Sequence, residues 1–391
     1  MIGKTGSGKT TLLRNLILQD IVAGEGVGII DPHGDLAEEI LDYIPPWRTD
    51  HVVYFNPADQ EFPIGLNLLH AVPRERRHLV RSGLVGAFKS IWRDSWGPRL
   101  EYVLSAAVAA LLDVETATIL GIPRLFVDDD YREWVVKQIK DPLVRAFWQT
   151  EFAGYDKRFR NEVVAPVQNK VGQLLMTPPL RNIVGQVRSG FDARFIMDNR
   201  RIFIANLSKG RLGADTANLI GALLVNEFQL AALTRANLAE KDRRDFFLFI
   251  DEFHNFSTDT FASILSEARK YRLCLTLSHQ YMEQLDDEVR QAIIGNVGSI
   301  IAFRTGEHDA GILEREFGDG YRASRFTSLA NYEMLVKLIE YGIHREPFVG
   351  TTLPPSGQFH GRRDNLIERS RQRYAKPQRT IEGKLGRWME A

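Results

Sequence analysis

The chain carries one cysteine, Cys274, in 391 residues, which excludes disulfide staples and cysteine-based metal sites and fits a reducing compartment. Neither charge is in excess. Lys+Arg and Asp+Glu number 50 each, so no global basic field announces a nucleic-acid partner and any such surface must come from local clustering. Long apolar runs are also missing: a membrane helix needs roughly 20 apolar residues, and the nearest stretch, 102–112, falls well short. No signal-peptide pattern follows Met1, and no internal repeat or low-complexity tract occurs. What remains is enough chain for a large core in two domains, or in one domain with a sizeable insertion.

The strongest motif starts at the third residue. Gly3-Lys4-Thr5-Gly6-Ser7-Gly8-Lys9-Thr10 matches G-x-x-x-x-G-K-[ST], and Thr11 opens a run with helical apolar spacing. Glycines let backbone amides curl round a β-phosphate, the lysine reaches the β- and γ-phosphates, and the hydroxyl ligates Mg²⁺. A helix N-terminus directly behind the loop adds its dipole to the same end. Gly3 to Thr11 are therefore the candidate ATP-binding residues, with Thr10 on the metal.

Further along, 26–30 reads as a buried strand ending in the turn Asp31-Pro-His-Gly-Asp, 36–43 as a helix and 51–55 as a strand. Such alternation predicts an α/β fold with a mainly parallel sheet and ligands at the carboxyl ends of its strands. From 73 to 185 the pattern turns to long amphipathic stretches, such as 100–112 and 131–139, which predicts an all-helical insertion. Strand signals return at 201–207, 246–250, 273–278 and 299–303, separated by helical stretches at 215–233, 258–271 and 307–317. The expected organisation is a P-loop NTPase domain whose first segment is 1–72 and whose second is 186–355, an all-α insertion at 73–185 between them, and a basic tail at 356–391, mobile or bound to a partner.

Strand ends supply the remaining candidates. Phe246-Phe-Leu-Phe-Ile is followed by Asp251, placed to hold Mg²⁺, and Glu252, placed to polarise a water; an apolar strand ending in acid acquires this meaning only beside a phosphate loop. Gln280, after Ser278-His279, could touch both the γ-phosphate and the attacking water, or simply cap the strand. Arg304 follows 299–303 and is a candidate to stabilise phosphoryl charge across a subunit boundary, with a structural surface arginine as the alternative. Arg269 and Arg272 are weaker rivals. Asp31 is a candidate to orient Mg²⁺-bound water or else a turn residue, and His33 has no partner for a metal site. Local basic clusters lie at 74–78, 157–160, 209–211 and 362–373, where a solvated face competes with a nucleic-acid track.

These residues carry a resemblance. The P-loop 3–10, Ile29-Ile-Asp-Pro-His-Gly-Asp-Leu, Asn56-Pro57 with Ile64-Gly-Leu-Asn, Trp96-Gly-Pro-Arg-Leu-Glu, Phe249-Ile-Asp-Glu-Phe, Ser278-His-Gln and Phe303-Arg304 together resemble HerA/FtsK-class P-loop motor ATPases. Within that class they are most similar to the TraG/TraD-type coupling ATPases of conjugation and type IV secretion. The resemblance implies a RecA-like motor domain with an inserted all-α domain, a hexameric ring of copies of the chain, and ATP-driven movement of DNA with Mg²⁺ as cofactor. It also implies relaxosome or secretion-channel partners, and a cytoplasmic setting at the inner face of a membrane. Members enter the P-loop from a buried β-strand; none is legible before Gly3, so the expectation is a chain cut at the edge of a larger motor, with neighbouring strand edges exposed. Two other readings stay open: a secretion ATPase for protein export or a HerA-like helicase, and a non-hydrolysing, ATP-gated interaction module.

Overall fold

The computed structural model describes residues 1–259, 261–340 and 342–390, without the side chains of 262 and 263; position 260, inside the helix expected at 258–271, and the last residue of the tail lie outside the described residues. The chain divides into two compact units. One comprises Met1–Tyr54, Arg194–Asn206 and Ala232–Ile367, the other Phe55–Ala193, Leu207–Ala231 and Glu368–Ala391.

The first unit is built on strands β1 (Gly26–Asp31), β2 (Val52–Phe55), β3 (Ile202–Asn206), β4 (Phe246–Ile250) and β5 (Leu273–Leu277), in the order β2-β3-β1-β4-β5. β1 pairs in parallel with both β3 and β4, and β4 with β5. Every residue of β1, β2 and β3 is buried, with no inside–outside alternation. That is the mark of a parallel sheet covered on both faces. Helix α1 (Lys9–Ala23) buries Leu13, Ile17, Leu18 and Ile21 on one stripe, and α2 (Asp35–Tyr43) buries Leu36, Ala37, Ile40 and Leu41. Both stripes join the core formed with Val27, Ile29, Ile202, Ile204 and Phe249. α1 stops at Gly24, whose φ of 85° turns its N–H back onto the carbonyls of Asp20 and Ile21.

Beyond β5 the sheet stops in front of the P-loop, as expected: β5 is the last of its five strands, β6 belongs to a separate sheet, and among the described residues only Met1 and Ile2 bridge the two. Ile2 forms parallel bridges to both His279 and Ala302. Its N–H donates to the Ile301 carbonyl at 3.0 Å, its carbonyl accepts from Phe303 at 2.9 Å, and the Met1 carbonyl accepts from His279 at 3.2 Å. Two residues are too short for any periodicity to announce a strand, and their bonds reach only the carboxyl ends of β5 and of β6 (Ile300–Ala302). β6 pairs antiparallel with β7 (Glu333–Lys337), which pairs antiparallel with the strand Phe348–Thr351.

The second unit is helical, as expected for 73–185, with Arg77–Ile91, Pro98–Leu111, Gly121–Val127, Asp129–Gln138 and Lys157–Val167 among its helices. Asp128, Asp141 and Asp156 accept backbone N–H groups at helix starts. An aromatic cluster of Phe126, Phe147, Trp148 and Phe152 fills some of its interior. The helix Ala214–Thr234 is long and apolar enough to cross a membrane by composition, yet 72% of that stretch is buried inside the protein, as a core helix would be. The tail corrects the sequence reading: it forms the helices Arg363–Tyr374 and Gln378–Glu390, and Ala375 pairs antiparallel with Ile64. Sparse apolar residues suffice as anchors because Leu366 and Ile381 are buried and Arg371 pairs with Asp59 at 2.7 Å.

Candidate functional site

The phosphate loop hangs from the short edge made by Ile2. Lys4 N–H donates to the Arg304 carbonyl at 2.8 Å, so the loop departs directly beside the end of β6. Gly6 and Gly8 have φ of 75° and 113°, in the left-handed region that favours glycine. Space is equally tight: a Cβ on Gly8 would lie 2.9 Å from Tyr332 Cδ1, and one on Gly3 would lie 2.6 Å from Phe303 Cβ. α1 then begins at Lys9, so its first amides face the loop. Thr10 is exposed and Thr11 half-buried at this end, while Lys4 and Thr5 stand exposed on the loop. Lys9 is buried, and its Nζ donates to the carbonyls of Gly3 at 2.5 Å and Lys4 at 3.2 Å. Burial holds its pKa below the usual lysine value, and the nearby carboxylates of Glu252 and Asp251 work in the opposite direction.

Those carboxylates stand where β4 ends. Asp251 N–H donates to Ile30 and Ser278 N–H to Ile250, which keeps the ladder aligned through the last residue of β4. At Glu252 the chain breaks away with φ 44° and ψ 50°, an uncommon conformation for a residue other than glycine. Both acids are 7% exposed. Burial pushes the Asp251 carboxyl up, and the adjacent Glu252 adds to this. Gln280, at the end of β5, donates through Nε2 to Glu252 Oε1 at 2.9 Å. The other Glu252 oxygen lies 3.5 Å from His254 Nδ1, and His254 Nε2 lies 3.3 Å from the Gln284 amide. The sheet register thus brings Lys9, Asp251, Glu252 and Gln280 from three separate stretches of the sequence to one edge.

The other candidates fall around this group. Asp31 is buried and both its oxygens are engaged, by His33 N–H and Ala37 N–H at 2.9 Å each, so it caps the start of α2. Burial raises its pKa, the amides of the turn lower it, and Asp251 raises it again, which places the two acids within electrostatic reach. Arg304 is half-buried and donates to Asn331 Oδ1 at 3.0 Å, while its carbonyl holds the P-loop of the same chain. His279 is buried beside Ile2, and burial pushes its imidazole down to about 3, so it sits neutral in the core. His33 is exposed. Arg272 faces Asp245 at 3.4 Å, away from the loop.

Sequence reasoning missed Asn331 and Tyr332. Tyr332 has φ 67°, donates its N–H to the Ser7 carbonyl at 2.8 Å, and accepts from Thr352 N–H at 2.8 Å. Its ring covers Gly8. The only available signal was an asparagine before a strand, which marks a turn and nothing more. The basic clusters fare differently: Arg77 pairs with Asp113, Arg160 lies over the Phe152 ring at 5.1 Å, and Arg363 pairs with Asp42 at 2.6 Å.

Comparison with known proteins places this arrangement. No curated protein matches the sequence. Among solved structures, the unbound bacterial conjugative coupling protein TrwBdeltaN70 superposes with a TM-score of 0.65 at 18% identity, over 92% of this chain and 85% of that one. TrwB in complex with ADP and Mg²⁺ gives 0.64 at 16% identity, over 91% and 85%. VirB4 of Thermoanaerobacter pseudethanolicus gives 0.58 at 16% identity, over 88% and 86%. These likenesses establish a shared fold, that of a RecA-like P-loop NTPase with an all-α domain. The model of the type IV secretion-system coupling protein DNA-binding domain matches residues 1–320, most of the chain. The chain belongs to the family of type IV secretion-system coupling proteins.

Proposed function

We propose that the protein is an ATP-hydrolysing motor that moves DNA for conjugation or type IV secretion. One observation carries the reading: the P-loop lysine lies within electrostatic reach of two buried strand-end carboxylates, one of which is hydrogen-bonded to the glutamine of the next strand. ATP and Mg²⁺ fit these residues. A buried ammonium bonded to loop carbonyls, a buried Ser7 hydroxyl and the first amides of α1 make a donor set for phosphate oxygens. Thr10 and Asp251 would hold the ion, which offsets phosphate charge when bound. Glu252 orients the attacking water and takes its proton, Gln280 holds Glu252 and reads the γ-phosphate, and Asp31 sets the turn beside Asp251. Arg304, whose guanidinium donates to Asn331 Oδ1 at 3.0 Å, offsets phosphoryl charge in the site of a neighbouring copy. The TrwB structures with ADP and Mg²⁺ and with an ATP analogue support the cofactor assignment by fold.

Family membership supports DNA as cargo, a hexameric ring as the working assembly, and relaxosome or secretion-channel proteins as neighbours. A single half-buried cysteine suits a cytoplasmic setting. The test is ATP hydrolysis by the purified chain with and without single- and double-stranded DNA over a salt series. A DNA motor shows stimulation that falls steeply as salt rises. Hydrolysis indifferent to DNA at low salt overturns the cargo assignment. The second reading, a protein-exporting ATPase, draws support from the zero net charge and from basic residues already engaged in ion pairs; it predicts basal hydrolysis without DNA affinity.

A further inference from the structure

The helical unit contains a cavity of about 430 Å³, remote in sequence from the P-loop, whose walls come from 116–118, 185–188 and the tail helix. The tail contributes Thr380, Ile381, Lys384, Leu385 and Trp388, which recur at helical spacing and so form one face of Gln378–Glu390. Ile381 is 3% exposed and pins that face down. The opposite wall is rigid, because Gln186 donates its amide to the carbonyls of Pro63 at 3.2 Å and Asn182 at 3.0 Å.

Three cations converge on this space: Arg188, Lys376 and Lys384. None of the residues lining the cavity is acidic, and among the described residues none of the three cations has an ion-pair partner. Their nearest acid on the tail helix, Glu382, is engaged by Gln378 at 2.8 Å and Asn182 at 3.4 Å. The amine of Lys376 is held below its usual value by burial first and then by Lys384 and Arg188. All three stand at solvent-facing positions, where water screens their repulsion and an anion can reach them together. Hydroxyls of Thr116, Thr118 and Thr380 add neutral donors, and Trp388 adds a flat apolar wall, itself braced by the Tyr131 ring edge at 5.9 Å and by Arg124 at 4.9 Å.

We propose that this cavity binds a nucleotide unit, its phosphate on Arg188, Lys376 and Lys384 and its base against Trp388. The volume is that of a small-ligand pocket, and cations beside an aromatic wall match the chemistry of phosphate and base together. Lys376, Lys384 and Trp388 lie beyond residues 1–320, the stretch matched by the family model, whereas Arg188 and the facing wall lie within it. The unit could be free or belong to a single strand; the strand source rests on the DNA-motor reading, and the free source does not.

The test uses the full chain with its P-loop saturated by Mg-ADP, titrated calorimetrically with thymidine 5′-monophosphate and with an oligothymidylate. Wild type is compared with the Lys376→Gln/Lys384→Gln variant, whose positions are exposed; Arg188→Gln serves as a second variant should that one unfold. The expected result is binding by wild type, weakened about tenfold or more in the variant, with the salt slope for oligonucleotide reduced by about two. Binding of the monophosphate alone identifies a free ligand, and binding of the oligonucleotide alone identifies a strand; either supports the site. Absence of binding by wild type, or equal binding by the folded variants, overturns it. DNA-stimulated hydrolysis is measured in parallel: loss of the cavity effect with stimulation intact sinks the cavity alone, and loss of stimulation with monophosphate binding intact sinks the motor reading alone.

Discussion

The Gln280 amide donates to Glu252 Oε1 at 2.9 Å, across the step between two adjacent parallel strands. This bond orients a buried carboxylate whose backbone is already held in the left-handed region. Replacing Gln280 with alanine should therefore lower the hydrolysis rate about 10- to 100-fold with little change in nucleotide affinity. Gln280→Glu places a second acid against Glu252, and repulsion between like charges should move the acidic limb of the pH–rate profile to higher pH. Steady-state phosphate release across pH 5–9 reads both; unchanged profiles would remove Gln280 from the site.

Glu252→Gln keeps the shape and the bond to Gln280 while removing the base. Hydrolysis should fall about 10²-fold or more, and binding of a fluorescent ATP analogue should persist. A variant that hydrolyses normally would reassign the base.

Gly8 and Tyr332 test the loop itself. Gly8→Ala should abolish nucleotide binding, because the residue needs φ 113° and its new methyl would meet the Tyr332 ring at 2.9 Å. Adding Tyr332→Ala relieves the clash but not the backbone strain, so binding measured by equilibrium dialysis should recover only in part. Full recovery would locate the constraint in the ring alone.

Glu227 offers a pH test of stability. Burial first, and then the like charge of Asp192, raise its pKa from 4.5 to about 7. A folded pKa above the unfolded one means that the native state binds the proton more tightly. The neutral carboxyl costs nothing below about pH 4.5, and destabilisation grows as pH rises through 7. Glu227→Gln should stabilise the protein by about 3 kcal/mol at pH 8 and negligibly at pH 4, as read by urea unfolding at the two pH values. Equal gains at both would assign the effect to packing.

Arg235 is fully buried, pairs with Asp198 at 2.9 Å and donates to the carbonyls of Arg244 and Tyr271 at 2.8 and 3.0 Å. Arg235→Ala should cost about 3 kcal/mol or more, since it strands two carbonyls near the starts of β4 and β5 and leaves Asp198 with Arg194 alone. A loss below 1 kcal/mol in denaturant titration would show that water replaces the guanidinium.

Short-range chemistry was legible before any fold was known. The spacing of Gly3, Gly6, Gly8, Lys9 and Thr10 is set by how a backbone wraps a phosphate, and the apolar runs before Asp251 and Gln280 state that these residues end buried strands. The α/β class and the helical character of 73–185 follow from periodicity in the same way. Pairing partners are not written in periodicity. Ile2 as a bridge between the ends of β5 and β6, Tyr332 on the P-loop, and the capping of α2 by Asp31 each depend on hydrogen bonds between segments far apart in sequence or within a turn whose shape the fold imposes. The tail shows the same division. Its charge and sparse apolar content are sequence properties, whereas its helical state rests on Leu366, Ile381 and Arg371 meeting surfaces that exist only once the rest has folded. A local pattern decides what a residue can do; the register of the sheet and the packing of helices decide which residues do it together.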